Sequence, residues 1–427
     1  MNFVLTAPPR PPAPAAAPPS TAPPRLVLPP RIDSGMWRAG HVQGIAVDTA
    51  RGFVYFSFTT LLVKTDLSGT VIGSVTGFTG HLGDVAFSPH DGRVYASLEY
   101  KAAESFYVAV FDVDRVTRRG MDAESDGVVT TVYLKEVTHD FTASVRTDDG
   151  RHLPHRYGCS GIDGISFGPT PGDPGGPWHL MVAYGVYSDT SRNDNDHQVL
   201  LQYDPAVLRP YERTLQQDRP HRNGPDRPQD KFFVRTGNTR FGVQNLKYDP
   251  HTGHWFLGVY QGAKDGFPNY RLFMVDGTVP PVRAPLGTGA GPEHGRMLQL
   301  HPSGLHHPAS GINGWDFRAD VGFEALGDGY YYVSEQRTGP AGNGSLLRLH
   351  RWTGNSPAPF DPAPLDLLDR TARPASVPAR PSGPLPARPS VRSSVRSSVG
   401  SSEQVRSAVP VDGGLRRAAP APQHSAG

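Results

Sequence analysis

Five copies of one short phrase run through the middle of this chain. They read His41-Val42-Gln43-Gly44-Ile45, His81-Leu82-Gly83-Asp84-Val85, Gly161-Ile162-Asp163-Gly164-Ile165, Gly242-Val243-Gln244-Asn245-Leu246 and Gly311-Ile312-Asn313-Gly314-Trp315. Each sets Gly or His, an aliphatic residue, two small or polar residues and a large apolar residue. A strand-like run and a turn usually follow. Repeated units of about 40 residues built this way predict a β-propeller, in which each unit is a four-strand meander that buries its faces only against its neighbours.

The first unit reads as strands at 41–48, 53–59, 61–66 and 70–75, with turns at 49–52 and 68–69. The second runs through 84–88, 94–99 and 106–113, with a fourth strand at 128–137. The third opens at Asp163 and continues through 178–187, 198–203 and 232–236. The fourth covers 244–261 and 270–275. The fifth runs from Asn313 through 330–335 and 346–352. The expected fold is all-β, a single propeller of five blades. A sixth blade, hidden in 128–155 or 207–235, is the alternative. Residues 25–37 are positioned to close the ring, since edge strands tolerate their prolines. Almost no window reads as helix.

Not all of the chain belongs to that core. Its 44 Pro and 48 Gly exceed a fifth of 427 residues, and the prolines crowd the two ends. Residues 1–30 and 356–427 lack the apolar periodicity that offsets the entropy of ordering, so both read as disordered tails around a domain at 31–355. The C-terminal tail is rich in arginine, yet the formal net charge is only +2. No global field therefore favours nucleic acid or a membrane surface. No apolar stretch is long enough to span a bilayer. The start, Met-Asn-Phe-Val-Leu-Thr, has no basic region and does not read as a secretory signal; export would require a different start of translation. Cys159 stands alone and excludes an internal disulfide.

In a propeller the inner strand of each blade lines a central channel. The residues that open these strands share a face with those that close the second strands. Alignment of the phrases thus gathers Gln43, Asp84, Asp163, Gln244, Asn245 and Asn313 with Glu99, Tyr184, Gln261 and Glu335, beside His81, Lys101, Asp194 and Lys264 in adjacent loops. Converging oxygens suit a hard cation, and Ca²⁺ accepts six to eight of them. Asp84, Glu99, Asp163 and Asn245 are the candidate ligands. Asp163, Glu99 and Lys101 are the candidate catalytic groups. Gln43, His81, Asp194, Gln244, Lys264, Asn313 and Glu335 are the candidate substrate contacts. The competing reading has the same residues cap a wet channel through hydrogen bonds.

Other motifs carry less. Cys159 reads as a small buried hydrophobe in preference to a nucleophile. Gly158-Cys-Ser-Gly161 lacks the spacing of a nucleophile elbow. Arg192-Asn-Asp-Asn-Asp-His197 reads as a solvated polar loop, since it lacks the glycine and distal glutamate of a calcium-binding loop. The 17 histidines do not cluster at zinc spacing.

The phrases, with Asp-x-x-x-Gly turns ahead of aromatic-rich strands, resemble bacterial propellers of the lactonase and NHL-repeat type. That group includes regucalcin-like gluconolactonases and paraoxonases. The resemblance implies Ca²⁺ held at the channel mouth by Glu, Asn and Asp side chains, with hydrolysis of lactones or organophosphates. Asp163, Asn245, Asp84 and Glu99 take those parts here. It covers about 40–352 as architecture, and that family has six blades. Calcium-dependent apyrases, with five blades, are a second comparison. Two functions stay open: a metal-dependent hydrolase of a small ester, lactone or phosphate ester, and a non-enzymatic propeller that binds a peptide, glycan or protein.

Overall fold

The computed structural model describes residues 28–287 and 293–363. Their strands form a five-bladed β-propeller. Blade 1 holds Val42–Asp48, Phe53–Phe58, Leu61–Asp66 and Val71–Thr76; blade 2 holds His81–Phe87, Val94–Tyr100, Ser105–Phe111 and Val129–Tyr133. Blade 3 runs Cys159–Pro169, Trp178–Val186, His197–Tyr203 and Asp230–Arg235, and adds His294–Leu298 and Val282–Pro285 at its edge. Blade 4 has three strands, Arg240–Asp249, His254–Tyr260 and Leu272–Val275. Blade 5 orders Phe323–Gly327, Tyr330–Gly339 and Gly342–Trp352, then turns to the start of the chain for Arg31–Trp37.

That last pairing closes the ring, as the sequence predicts. Arg31–Trp37 lies antiparallel to the third strand of blade 5, with Arg31 opposite Arg348 and Trp37 opposite Asn343. Pro29 and Pro30 sit just outside the ladder, where only their carbonyls are needed: these accept from the Tyr332 hydroxyl at 2.7 Å and the Leu349 N–H at 3.0 Å.

The hairpins follow from a local device. Asp48 and Asp249 each cap the turn that follows: Asp48 Oδ1 accepts from the Ala50 and Arg51 N–H groups at 3.1 and 3.0 Å, and Asp249 accepts from His251 and Thr252 at 3.1 and 3.0 Å. Gly52 and Gly253 then supply the positive φ (both 75°) that returns the chain. The inner strand of blade 1 is buried at every residue because both its faces pack on neighbours. Aromatic side chains fill the wedges between blades. Tyr95 of blade 2 meets Phe167 of blade 3 edge-on at 5.0 Å.

The polar pair of the phrase has a packing logic. A β-carbon on Gly44 would collide with Asp84, which holds the same phrase position one blade on. A β-carbon on Gly83 would collide with Asp163, again one blade on at the same position. Glycine in one blade thus makes the space into which the next blade's aspartate projects.

Several expectations are corrected. The fifth phrase is not an inner strand: Ile312–Gly314 pairs with Leu305–His307, and Trp315 bridges Leu272 at the outer edge of blade 4. The inner strand of blade 5 is Phe323–Gly327. Asn313 is therefore on a peripheral hairpin, away from the channel. The stretch 128–155 yields the outer strand of blade 2, a helix at Lys135–Thr142 and a small hairpin, so no sixth blade forms there. In 207–235, Arg213–Thr214 extends blade 2 and Asp230–Arg235 completes blade 3. The ordered domain is wider than 31–355: Leu28 is buried, and Phe360–Pro362 pairs with blade 5 while Phe360 fills an aromatic cluster with Phe256, Phe323, Tyr331 and Trp352. The rest of both expected tails, 1–27 and 364–427, lies outside the described residues. Among the described residues no helix is long and apolar enough to cross a membrane.

Candidate functional site at the upper channel mouth

The upper end of the channel is the one where the inner strands begin. His81 opens the inner strand of blade 2 and lies opposite Glu99, the penultimate residue of the second strand. Lys101 follows in the next turn. The Lys101 ammonium stands 3.0 Å from Glu99 Oε1, and His81 Nδ1 stands 3.4 Å from the same oxygen. Blade 3 contributes the Ile162 N–H, which donates to Glu99 Oε2 at 3.2 Å. Gly161, at φ 125°, permits that approach, because a β-carbon there would strike Glu99. Asp163 is one residue further. Its backbone carbonyl accepts from the Ser97 hydroxyl at 2.6 Å, while its Oδ1 is enclosed and makes no hydrogen bond.

These four side chains differ in their electrostatics. Burial pushes the Asp163 carboxyl up to about 7; His81 and Lys101 oppose the shift, and the Glu99 charge reinforces it. Burial also acts on Glu99, but Lys101 and His81 outweigh it and hold this carboxyl below its usual value. Burial works against the charged forms of His81 and Lys101 too, and Glu99 more than compensates, so both are raised. Two carboxyls side by side thus have their pKa values pushed apart, the pattern that assigns acid and base roles. His81 and Lys101 remain partly exposed, at 29% and 45% of their side chains, and form the solvent-facing rim.

The other expected ligands are engaged elsewhere. Asp84 is fully buried on the channel axis. Its Oδ2 accepts from the Ile165 and Leu246 N–H groups at 3.2 and 3.1 Å, and its carboxylate meets the Lys247 ammonium at 3.1 and 3.3 Å. Asn245 donates across the channel to the Gln43 carbonyl at 2.7 Å and accepts from the Gly322 N–H, so it ties blades 1, 4 and 5. The oxygens of Asp84 and Asn245 are thus committed to protein donors, and an ammonium already fills the place of a counter-cation. Asp84, Glu99, Asp163 and Asn245 do not present a shared set of free oxygens. Among the described residues no group of three or more His, Cys, Asp and Glu side chains is arranged to hold a metal ion.

The expected substrate contacts divide in the same way. Gln43 is buried, and its amide bonds Thr59 Oγ1 and the His41 ring, each at 3.1 Å. Gln244 is buried and donates to the Phe241 carbonyl at 3.0 Å. Asp194 forms a two-point pair with Arg192 at 2.8 Å, and Lys264 binds both oxygens of Asp196 at 2.8 Å. The 192–197 loop is consequently a packed corner and not a solvated one, with Arg192, Asp194, Asn195 and His197 all buried. Glu335 pairs with Arg348 on its own sheet at 2.6 Å, half exposed. Cys159 is wholly buried, and burial pushes its thiol well above the usual range. It is a core residue.

Sequence reasoning missed Lys247 and Glu324. A lysine inside an apolar inner strand, two residues past the fourth phrase, was the available signal for Lys247. Glu324 had none, because the inner strand of blade 5 lacks the phrase. Tyr260 ends the second strand of blade 4, and its hydroxyl lies within the fields of Asp320 and Asp163.

No family model matches this chain, and no curated protein matches it. Among solved structures it is similar to the β-propeller domain of Myceliophteria thermophila Cps50 (Swd1), at 10% identity, a TM-score of 0.31 and coverage of 78% of this chain and 88% of that one. It is also similar to the Dos1 propeller (10% identity, TM-score 0.30, 75% of this chain and 68% of that one). A third is a protein of unknown function from Bacteroides caccae (12% identity, TM-score 0.27, 56% of this chain and 78% of that one). No residue role transfers from these; the propeller assignment rests on the strand pairing itself.

Proposed function

We propose that the upper channel mouth hydrolyses a small ester, lactone or phosphate ester. The observation that carries this reading is the enclosed, unbonded Oδ1 of Asp163 beside the Glu99–Lys101–His81 group. A carboxyl that titrates near neutrality is suited to proton transfer in both directions. Ionised Asp163 takes a proton from water as the water oxygen bonds to the electrophilic centre. His81 and Lys101 face the negative charge that develops on the substrate oxygen. Asp163 then returns the proton to the leaving oxygen as its bond breaks. Glu99 holds the two cations in place. The oxygens at this mouth do not fit the expected calcium cage, and no step is assigned to a metal.

The test is turnover of chromogenic esters, lactones and phosphate esters by wild type and Asp163→Asn, with and without added Ca²⁺. At least one class is expected to turn over, with a pH profile that bends near about 7 and a strong loss in the variant. Full activity in Asp163→Asn, or no turnover of any class, would sink the proposal. Activity that depends strictly on Ca²⁺ would replace it with a metal-assisted one.

A binding role has one specific observation in its favour. Phe241 stays 39% exposed on the upper face, held at φ 65°, with the Tyr260 ring edge-on at 6.4 Å and the Arg240 guanidinium 5.7 Å from its ring. An exposed aromatic held this way suits stacking on a sugar or a peptide ring. Glycan-array binding that Phe241→Ala abolishes, in a protein without turnover, would favour this second reading.

A further inference from the structure

The lower end of the channel carries its own site. There the inner strands end in their turns, and a cavity of about 150 Å³ opens between Phe87, Phe167, Trp178 and Tyr248, with Lys247 and Glu324 also on its wall. An apolar cavity of about this size holds one benzene molecule, so about six non-hydrogen atoms fit.

The charges here do not balance. Two carboxyls, Asp84 and Glu324, face one ammonium. Lys247 is fully used: it meets both Asp84 oxygens and donates to the Val85 carbonyl at 2.7 Å. Glu324 has only the longer share of that ammonium. Its Oε2 is shut away from solvent without a hydrogen bond, and the Lys247 nitrogen is 3.6 Å off. Asp48, also on the wall, is already bound by the Arg51 side chain and the N–H groups of Ala50 and Arg51. The Glu324 side chain lines the cavity and keeps 16% of its surface exposed. An anion finds its cation already neutralised by Asp84. A cation finds a carboxyl whose one counter-ion, Lys247 at 3.6 Å, is shared with Asp84, and an aromatic wall that favours positive charge.

We propose that this lower cavity binds a small primary amine as its ammonium ion, with Glu324 as counter-ion and the aromatic wall around its alkyl part. Burial pushes the Glu324 carboxyl up to about 8; the Asp84 charge reinforces the shift, and Lys247 and the Val47 N–H oppose it. A bound ammonium reverses this preference, so binding near neutrality releases a proton from Glu324.

The experiment is calorimetry on the full chain with n-butylammonium chloride near neutral pH, in two buffers of different ionisation enthalpy, with n-butanol, butyrate and potassium chloride as controls. Saturable binding of butylammonium alone is expected, with proton release, weakened at least tenfold in Glu324→Gln. Equal binding by the variant, no saturable binding at millimolar concentrations, binding without proton release, or equal binding of butanol or butyrate would overturn the proposal. Displacement by potassium at equal concentration would also overturn it and give the site to an inorganic cation. The controls on wild type decide the matter even if the variant does not fold.

Discussion

The axis of the channel and its upper mouth use the same residue types to opposite effect. On the axis, Asp84 is bonded by two backbone N–H groups and Lys247, with every polar atom of the pair engaged inside the fold. At the upper mouth, Asp163 has an oxygen with no partner, and its neighbours His81 and Lys101 reach solvent. The two aspartates occupy adjacent positions of the same phrase in adjacent blades. Each projects into the space left by a glycine of the preceding blade. One carboxylate becomes a rivet because Ile165, Leu246 and Lys247 donate to it, and the other keeps an oxygen that meets no donor. Acidic residues that look equivalent in a repeat are separated by what the next blade presents to them.

The largest expected effect is on the rivet. Lys247→Met leaves Asp84 buried without its cation and should lower the unfolding free energy by about 3–5 kcal/mol. Urea denaturation measures this, and Asp84→Asn in the same chain should restore part of the loss. A loss below about 1 kcal/mol would place Lys247 with surface pairs and break the comparison.

Next is the mouth. Asp163→Asn should lower kcat/KM at least about a hundredfold on any turned-over substrate while the melting temperature holds, as expected for a group in proton transfer rather than packing. A variant that unfolds would make Asp163 a second rivet.

A smaller effect is set by pH. Asp84, Asp163 and Glu324 have carboxyls pushed up by burial to about 6, 7 and 8. The folded protein therefore keeps protons that the unfolded chain has already released. Their contribution is fully present below the ordinary carboxylate range and is lost as pH rises through these folded values. Glu324→Gln removes the last part of that loss. It should raise the melting temperature by about 2 °C or more above about pH 8 and leave it unchanged below about pH 4. A gain of the same size at both ends of the range would contradict the assignment.

The smallest effect belongs to the rim. Lys101→Met removes a cation that is 45% exposed, so stability should fall by less than about 1 kcal/mol, and less again in high salt. Thermal melts at two salt concentrations distinguish this from the Lys247 result.

Much of the site was legible because the phrase put its parts in register. His81, Glu99, Lys101 and Asp163 do meet at one mouth, since strand pairing places the start of each inner strand beside the end of the second. Asn313 failed for the converse reason. Its phrase has the right residues but serves an outer edge, because Leu272 needed a partner there and blade 4 has no fourth strand of its own. Asp194 and Lys264 were read as open groups, yet each had a near partner, Arg192 and Asp196, that ties its loop down.

The sequence by itself determined four of the five inner strands, the closing strand and the mouth. These depend on local periodicity, turn residues and a repeat, all of which are carried by neighbours in the chain. Tertiary structure decided the fate of each charge. Asp84 and Asn245 became fasteners, Asp163 was left with a free oxygen and Glu324 was left to share Lys247 with Asp84, because partners such as Lys247 and Gly322 come from other blades. A carboxylate's chemistry is set by its burial and its nearest charges, and strand order supplies neither until the ring has closed.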